Sequence, residues 1–187
     1  KFHSFMILKI DKDIELRQLK FSDAKDIFET IDSQRNYLGK WLPFVESTKS
    51  ITDSEMYVNS VINADADHFE YVFTIRYCGH FAGIIGFKDT DKVNRKTEIG
   101  YWLSEKYQKK GIMTKSVDIL CNFAFKALNI NKIQIKCAVG NIPSSNIPKR
   151  LNFILEGIER DGELLSGSHF VDLEIYRLLS PNYVYTI

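Results

Sequence analysis

The chain has 187 residues, of which 44% are hydrophobic and 26% charged, and its formal net charge is +1. This length suits one domain with a sizeable core, and this composition excludes a disordered chain. A net charge so close to zero gives no reason to expect nucleic acid or an anionic membrane as the main partner. We therefore expect residues 1–187 to form a single globular domain with neither of those partners.

The cysteines and histidines give no sign of a structural metal or a disulfide framework. Cys78, Cys121 and Cys137 are far apart and lie in apolar stretches. An odd count without Cys-x-x-Cys or Cys/His spacing argues against both disulfides and zinc, and the histidines have no metal-ligand spacing. No apolar run is long enough to span a bilayer. These features predict a cytoplasmic protein that needs no metal.

The first half of the chain predicts one strand, two helices and then three consecutive strands. Residues 14–19 alternate apolar and polar side chains, and a helix capped by Ser22 follows. Thr52 and Glu55 predict a capping box at the start of a second helix. From residue 69 the apolar period changes to two, and the runs 69–77, 81–87 and 97–103 predict strands. Because their connections are short, these strands are expected to pair antiparallel.

The second half predicts a long helix, a strand, a short helix and a closing hairpin. Apolar residues recur at helical spacing from Val117 to Leu128, and residues 132–139 alternate like a strand. A short helix follows in which Pro148 is tolerated only near the first turn. Two further strands are joined by a turn at residues 161–163. The whole pattern predicts a mixed α/β (α+β) fold with helices on the faces of a mixed sheet.

The stretch "YQKKGIMTK", residues 107–115, connects a predicted strand to the long predicted helix. The first amides of a helix have no helical partner, and its dipole favours an anion there. Gly111 leaves room for a phosphate, and Lys109 and Lys110 add positive charge nearby. A tight turn into a solvated helix end explains the same residues equally well. Neither the Walker pattern nor the dinucleotide glycine pattern is present in the chain.

Longer segments resemble a known family. "IGYWLSEKYQKKGIMTKSV" resembles the acetyl-CoA-binding segment of the GCN5-related N-acetyltransferases (GNAT), and more closely the ribosomal-protein N-terminal acetyltransferase (RimJ/RimL-like) branch. The family pattern Q/R-x-x-G-x-G/A is matched by residues 108–113, with Met113 in place of the last small residue. "RNYLGKWLPFV", "NIPSSN" and "RLNFILEG" also resemble segments of that branch. The resemblance covers nearly the whole chain in the correct order.

This resemblance implies the GNAT fold, in which a mostly antiparallel sheet is splayed between its fourth and fifth strands. Acetyl-CoA would enter the gap and pair with strand backbone, and its pyrophosphate would sit on the amides that follow Gln108. No metal is implied. The expected cofactor-binding residues are Trp102, Leu103, Ser104, Gln108, Lys109, Lys110, Gly111, Ile112, Met113, Thr114, Asn141 and Asn146.

The resemblance also implies catalytic candidates. The tyrosine acid of many family members maps to Pro148, and the branch uses a serine that maps to Ser144. Ser144 would assist the departing thiolate, unless it only caps a helix. Glu163 and Glu98 are the two candidates for the general base, although each could be an ordinary surface carboxylate.

Three further residues are expected at the acceptor pocket. Trp41 and Phe44 flank Pro43 and would wall the pocket, unless they belong to the core. Asp172 would meet an acceptor amine or cap a turn.

The expected function is that of an N-acetyltransferase. Acetyl would pass from acetyl-CoA to a primary amine by direct attack in a ternary complex. The acceptor would be the α-amine of a protein or a small amine. A non-catalytic acyl-CoA-binding sensor on the same fold is the alternative, and a homodimer is a further possibility that the resemblance raises.

Overall fold

The structure is a computed structural model that describes residues 5–183. Its centre is one eight-stranded sheet with the strand order β1-β2-β3-β4-β5-β6-β8-β7. The strands are β1 Ile7–Lys9, β2 Ile14–Gln18, β3 Val72–Tyr77, β4 His80–Asp91, β5 Lys96–Leu103, β6 Lys132–Ala138, β7 Ile154–Leu165 and β8 His169–Leu179. The helices are α1 Ala24–Ser33, α2 Arg35–Leu38, α3 Phe44–Ser47, α4 Ile51–Ile62, α5 Ile112–Ala127 and α6 Ile142–Arg150.

The expected mixed, mostly antiparallel sheet is confirmed. Of the strand pairs in residues 5–183, only β5 and β6 run parallel. Their pairing is confined to residues 96–98 against 132–134, and beyond these residues the two strands separate. Because β1 precedes the strands expected from the sequence, the predicted gap between the fourth and fifth strands is the gap between β5 and β6.

Helices cover both faces of the sheet, as expected. On one face, α5 and α6 pack against the strands around a core that includes Leu120, Ile135 and Phe73. On the other face, α1 to α4 pack around a core that includes Ile31 and Val58. Neighbouring residues of β4 contribute to opposite cores, as the alternation of side chains along a strand requires.

Several local expectations are wrong. The capping box that starts α4 is formed by Ser50 and Asp53, because the helix begins before Thr52. The sequence Asp-Gly-Glu at 161–163 is not the hairpin turn. These residues lie within β7 as an irregularity of the pairing, and the chain reverses at residues 166–168, where Gly167 has a positive φ of 73°. Gly167 supplies the left-handed conformation that this turn needs.

Two further differences concern helix α6 and the first helix. Pro148 lies near the end of α6 and not in its first turn. Ser22 lies in a short 3-10 turn at residues 21–23, in which Lys20 and Asp23 hold the chain before α1. Within residues 5–183, no helix is both long enough and apolar enough to cross a membrane.

Candidate active site

A cavity of about 470 Å³ lies where β5 and β6 separate. The end of β5, the start of α5, helix α6 and the segment around α2 form its walls. All the residues expected to bind the cofactor line it except Ser104, and Ser144 and Trp41 also line it. The remaining lining residues are Tyr37, Leu38, Leu42, Tyr101, Tyr107, Ile142, Pro143, Ile147 and Arg150.

Helix α5 begins at this cavity with unpaired backbone amides. Gly111 is its N-cap residue, in a left-handed conformation (φ 73°) that favours glycine, and no side chain caps the helix. The first helical amide bond runs from the Lys115 N–H to the Gly111 carbonyl at 3.1 Å. The amides of residues 112–114 precede it, so the helix itself gives them no acceptor. The first turn contains no acidic residue, which leaves this end suited to an anion.

The loop before Gly111 is held by aromatic side chains. The Gln108 amide nitrogen donates to the Tyr37 hydroxyl, and burial raises the pKa of Tyr37. The Lys110 ammonium lies 5.1 Å from the centre of the Tyr77 ring. A methyl group added at Gly111 would meet no atom within 4 Å, so the space above the helix start is open.

At the end of β5, alternate residues direct their backbone N–H and C=O groups toward the gap between β5 and β6. Ser104 donates its N–H to the Ala82 carbonyl of β4 at 2.8 Å, and its carbonyl accepts from Tyr107 at 3.0 Å. Because antiparallel partners alternate along a strand, Trp102 also directs its backbone groups toward β4. Leu103 and Tyr101 direct theirs toward the gap. Both backbone groups of Ser104 are thus used within the protein, and among these residues those of Leu103 and Tyr101 are the ones that face the gap.

Ser144 lies in the first turn of α6, in a cluster with Tyr101 and Cys137. The helix cap is Asn141, whose side chain accepts from the Ser144 N–H at 3.4 Å. The Ser144 hydroxyl is therefore not the cap. Its oxygen lies 3.4 Å from both the Tyr101 hydroxyl and the Cys137 sulfur. Burial raises the pKa of the Cys137 thiol and that of the Tyr101 phenol, so both groups are protonated at neutral pH.

The two candidate bases lie near each other, outside the cavity lining. The buried Glu98 carboxylate lies 2.9 Å from the Lys88 ammonium and 3.9 Å from that of Lys136. Glu163 has no ion pair within residues 5–183. Burial raises the pKa of Glu163, and the neighbouring Glu98 raises it further, although Lys88 and Lys136 oppose these effects. Of the two carboxylates, Glu163 is thus the better poised to take a proton.

The expected acceptor-pocket residues are only partly brought together. Trp41 lines the cavity, whereas Phe44 lies on α3, half-exposed and outside the lining. The Asp172 carboxylate contacts the Arg160 guanidinium at 2.5 Å and accepts from the Asp161 amide at 2.9 Å. Asp172 thus holds the irregular part of β7, which favours the turn-capping alternative over contact with an amine.

Comparisons with known proteins identify the family. The family model "Acetyltransferase (GNAT) domain" matches residues 13–154. The chain belongs to the GNAT acetyltransferases. It is therefore an N-acetyltransferase that takes its acetyl group from acetyl-CoA, as its motifs predict.

Several relatives of this GNAT chain have names that describe ribosomal-protein acetyltransferases. The "Putative ribosomal N-acetyltransferase YdaF" of Bacillus subtilis (strain 168) is 37% identical over 91% of this chain and 93% of its own length. The ribosomal-protein-serine acetyltransferase of Escherichia coli (strain K12) is 25% identical over 90% and 94%. A solved structure of RimL, a ribosomal-protein α-N-acetyltransferase in complex with coenzyme A, has a TM-score of 0.88. It is 25% identical and covers 93% of this chain and 98% of that one.

Sequence reasoning missed Tyr101 in this acetyltransferase, although a signal was present. Tyr101 lies two residues from Ile99 and Leu103, which join the core on the α5 face. Period-two alternation therefore placed its side chain on the same face as the cofactor helix. The wall residues Tyr37 and Tyr107 gave no comparable signal, because they lie in a four-residue helix and a 3-10 turn.

Proposed function

We propose that the chain acetylates the N-terminal α-amine of a protein. Support comes from the similar proteins whose names describe ribosomal-protein acetyltransferases. The observation that carries the proposal is the charge around the candidate bases. Glu98 is paired with two lysines, and Asp172 is paired with an arginine. Of these three carboxylates only Glu163 has no ion pair within residues 5–183, which suits a single α-amine, whereas a polycationic small amine would need several unpaired carboxylates to bind.

The cavity geometry supports direct transfer in a ternary complex. We expect the pyrophosphate of acetyl-CoA at the amides of residues 112–114 and the pantetheine arm along Leu103 and Tyr101. The thioester carbon would then lie in the gap between β5 and β6. Asn141 and Asn146 line the opposite wall and are expected beside the same arm.

The proposed chemistry uses one base and one donor. The lone pair of the amine forms the C–N bond, and Glu163 accepts the proton that the nitrogen loses. The C–S bond breaks, and the Ser144 hydroxyl donates a hydrogen bond to the departing thiolate, which then takes up a proton as free CoA. An α-amine has a pKa of about 8, well below the roughly 10.4 of a lysine-type amine, so a carboxylate base suffices.

Thiol release from acetyl-CoA tests the proposal. We expect release with peptides that have a free N-terminus, and none with the same peptides when the N-terminus is blocked. Spermidine and free lysine serve as competing acceptors and are expected to react far more slowly. Faster release with spermidine would contradict the protein-acceptor proposal while leaving acetyl transfer intact. Tight acetyl-CoA binding without release with any acceptor would instead favour the sensor alternative.

We also propose that the protein works in the cytoplasm as a homodimer. The three cysteines are free thiols in the structure, which is consistent with a reducing compartment. The edge strand β7 carries half-exposed apolar side chains that could meet a second copy of the chain.

A further inference from the structure

Helix α6 lacks a main-chain hydrogen bond at Ser144, the residue proposed to assist the departing thiolate. Pro148 is four residues after Ser144, and proline has no N–H to donate to the Ser144 carbonyl. The Tyr101 hydroxyl donates to that carbonyl instead, at 3.1 Å. The bond crosses from β5 to α6, the two walls of the cavity. A side chain from one wall therefore replaces a main-chain hydrogen bond missing from the other.

The same tyrosine contacts the serine side chain. The Ser144 oxygen lies 3.4 Å from the Tyr101 oxygen, close enough for the serine to donate. Tyr101 has one proton, which the Ser144 carbonyl receives, and its lone pairs remain available as acceptors. These two contacts fix both the backbone and the hydroxyl of Ser144 before the reaction. Because the serine has one proton, its hydroxyl turns from Tyr101 to the thiolate when the C–S bond breaks, while the bond from Tyr101 to the Ser144 carbonyl keeps the residue in place.

From this geometry we propose that Tyr101 is a positioning residue that holds Ser144 at the thioester. The inference rests on the proposed role of Ser144 in assisting the thiolate. Tyr101 itself transfers no proton, because its only proton is committed to the Ser144 carbonyl. Its burial is consistent with this role, since it keeps the phenol protonated.

The first test is a set of activity measurements on Tyr101→Phe, Ser144→Ala and the double variant. We expect Tyr101→Phe to lower kcat about tenfold, the change typical of one lost hydrogen bond, with little effect on the KM for acetyl-CoA. In the Ser144→Ala background, Tyr101→Phe should have no further effect, because it acts only through Ser144. Multiplying effects, or a wild-type kcat for Tyr101→Phe, would overturn the inference.

The second test is rescue. Pro148→Ala restores an N–H at position 148, so the Ser144 carbonyl regains its helical donor. Tyr101→Phe/Pro148→Ala should recover kcat relative to Tyr101→Phe alone. Tyr71→Phe is the matched control, since Tyr71 undergoes the same chemical change away from the cavity. A double variant as slow as Tyr101→Phe would contradict the inference.

The outcomes separate this inference from the proposed function. If Ser144→Ala keeps full kcat, the inference falls while acetyl transfer stands. If the wild type releases no thiol with any acceptor, the proposed function fails. The midpoints of unfolding then test whether Tyr101 donates to the Ser144 carbonyl. Tyr101→Phe should lower the midpoint less in the Pro148→Ala background than in the wild type, and equal losses would overturn the inference.

Discussion

Glu163 carries the acid–base step of the proposed reaction, and its surroundings predict the pH dependence. Because burial raises its pKa, kcat/KM should fall on the acidic side at a pH above the roughly 4.3 of an ordinary glutamate. Glu163→Gln should lower kcat by about 100-fold or more and remove this acidic limb. The matched control is Glu159→Gln on the same strand, where the carboxylate pairs with Lys136 at 3.0 Å. An acidic limb that survives in Glu163→Gln would place the base elsewhere.

The same pKa shift predicts a change in stability. A carboxyl whose folded-state pKa is raised stabilises the fold below its unfolded pKa and loses that contribution as pH rises through the folded value. Glu163→Gln should therefore increase the free energy of unfolding at about pH 8 and leave it nearly unchanged at about pH 4. Urea titrations at the two pH values measure both. A lower stability of the variant at the higher pH would contradict the prediction.

At the scale of residues, the sequence predicted the cofactor loop better than the catalytic groups. Gln108 to Thr114 are neighbours in the chain, so one motif placed them together, and all of them line the cavity. Glu163 and Glu98 are neighbours only because β7 and β8 follow β6 in the sheet, which no local pattern shows. The Tyr101 to Ser144 bond spans 43 positions and depends on the missing N–H of Pro148. The sequence shows that position 148 has no N–H, but it does not show that Tyr101 supplies the replacement hydrogen bond.

At the scale of elements, the glycine at the start of α5 is expected to affect both stability and CoA binding, whereas a glycine in a distant turn affects stability alone. Gly111 and Gly167 both have φ of 73°, and an added methyl group would meet no atom within 4 Å at either. Alanine at either position should cost about 1 kcal/mol, because an L-residue is strained there. Only Gly111→Ala should weaken CoA binding, by about tenfold, since its methyl group would stand beside the amides that receive the phosphates. Calorimetry and urea unfolding measure the two effects separately.

A result in which Gly167→Ala weakened CoA binding as much as Gly111→Ala would contradict this account. So would unchanged CoA affinity in Gly111→Ala. In either case the role of Gly111 would be that of an ordinary turn.

At the end of β5, adjacent backbone amides are expected to differ in their rates of hydrogen exchange. Ser104 donates to Ala82, and Trp102 pairs with Ile84, so both amides should exchange slowly with or without ligand. Tyr101 and Leu103 point their amides into the gap and should exchange quickly in the free protein. Coenzyme A should slow at least one of these two and leave the paired amides unchanged. Hydrogen exchange followed by NMR resolves the four residues, and uniform protection along the strand would contradict the register.

Element boundaries show where local signals suffice. The strands between residues 72 and 103 were predicted because alternation there is regular and the loops are short. Strand β1 was missed because its three residues, Ile7–Lys9, are too few to show a period. The hairpin turn was misplaced because Asp161 and Gly162 have turn chemistry, yet Asp172 holds them as an irregularity within the strand.

At the scale of the whole molecule, the site depends on an interruption of the sheet. Strands β1 to β5 and strands β6, β8 and β7 form one sheet, but within residues 5–183 the strand pairing between the two parts is confined to residues 96–98 and 132–134. The gap beyond them lets a ligand occupy the position of a paired strand. Strand periodicity predicts the strands on either side, but it contains no signal for their separation. That feature was expected only from the family resemblance.

The outer edge of the same sheet leads to the last prediction, which concerns assembly. β7 is an edge strand of 12 residues, and its side chains Ile154, Leu155 and Ile158 are 48–50% exposed. Long apolar edges pair readily with another chain, and self-pairing of β7 would give a symmetric dimer. We therefore expect a dimer in sedimentation analysis, and a monomer for Ile158→Lys, which places a charge on the edge. Val93→Lys, at a 91% exposed position in the β4–β5 loop, should remain dimeric. A monomeric wild type, or two dimeric variants, would show that β7 is not the interface, because a buried lysine on a pairing edge is strongly unfavourable.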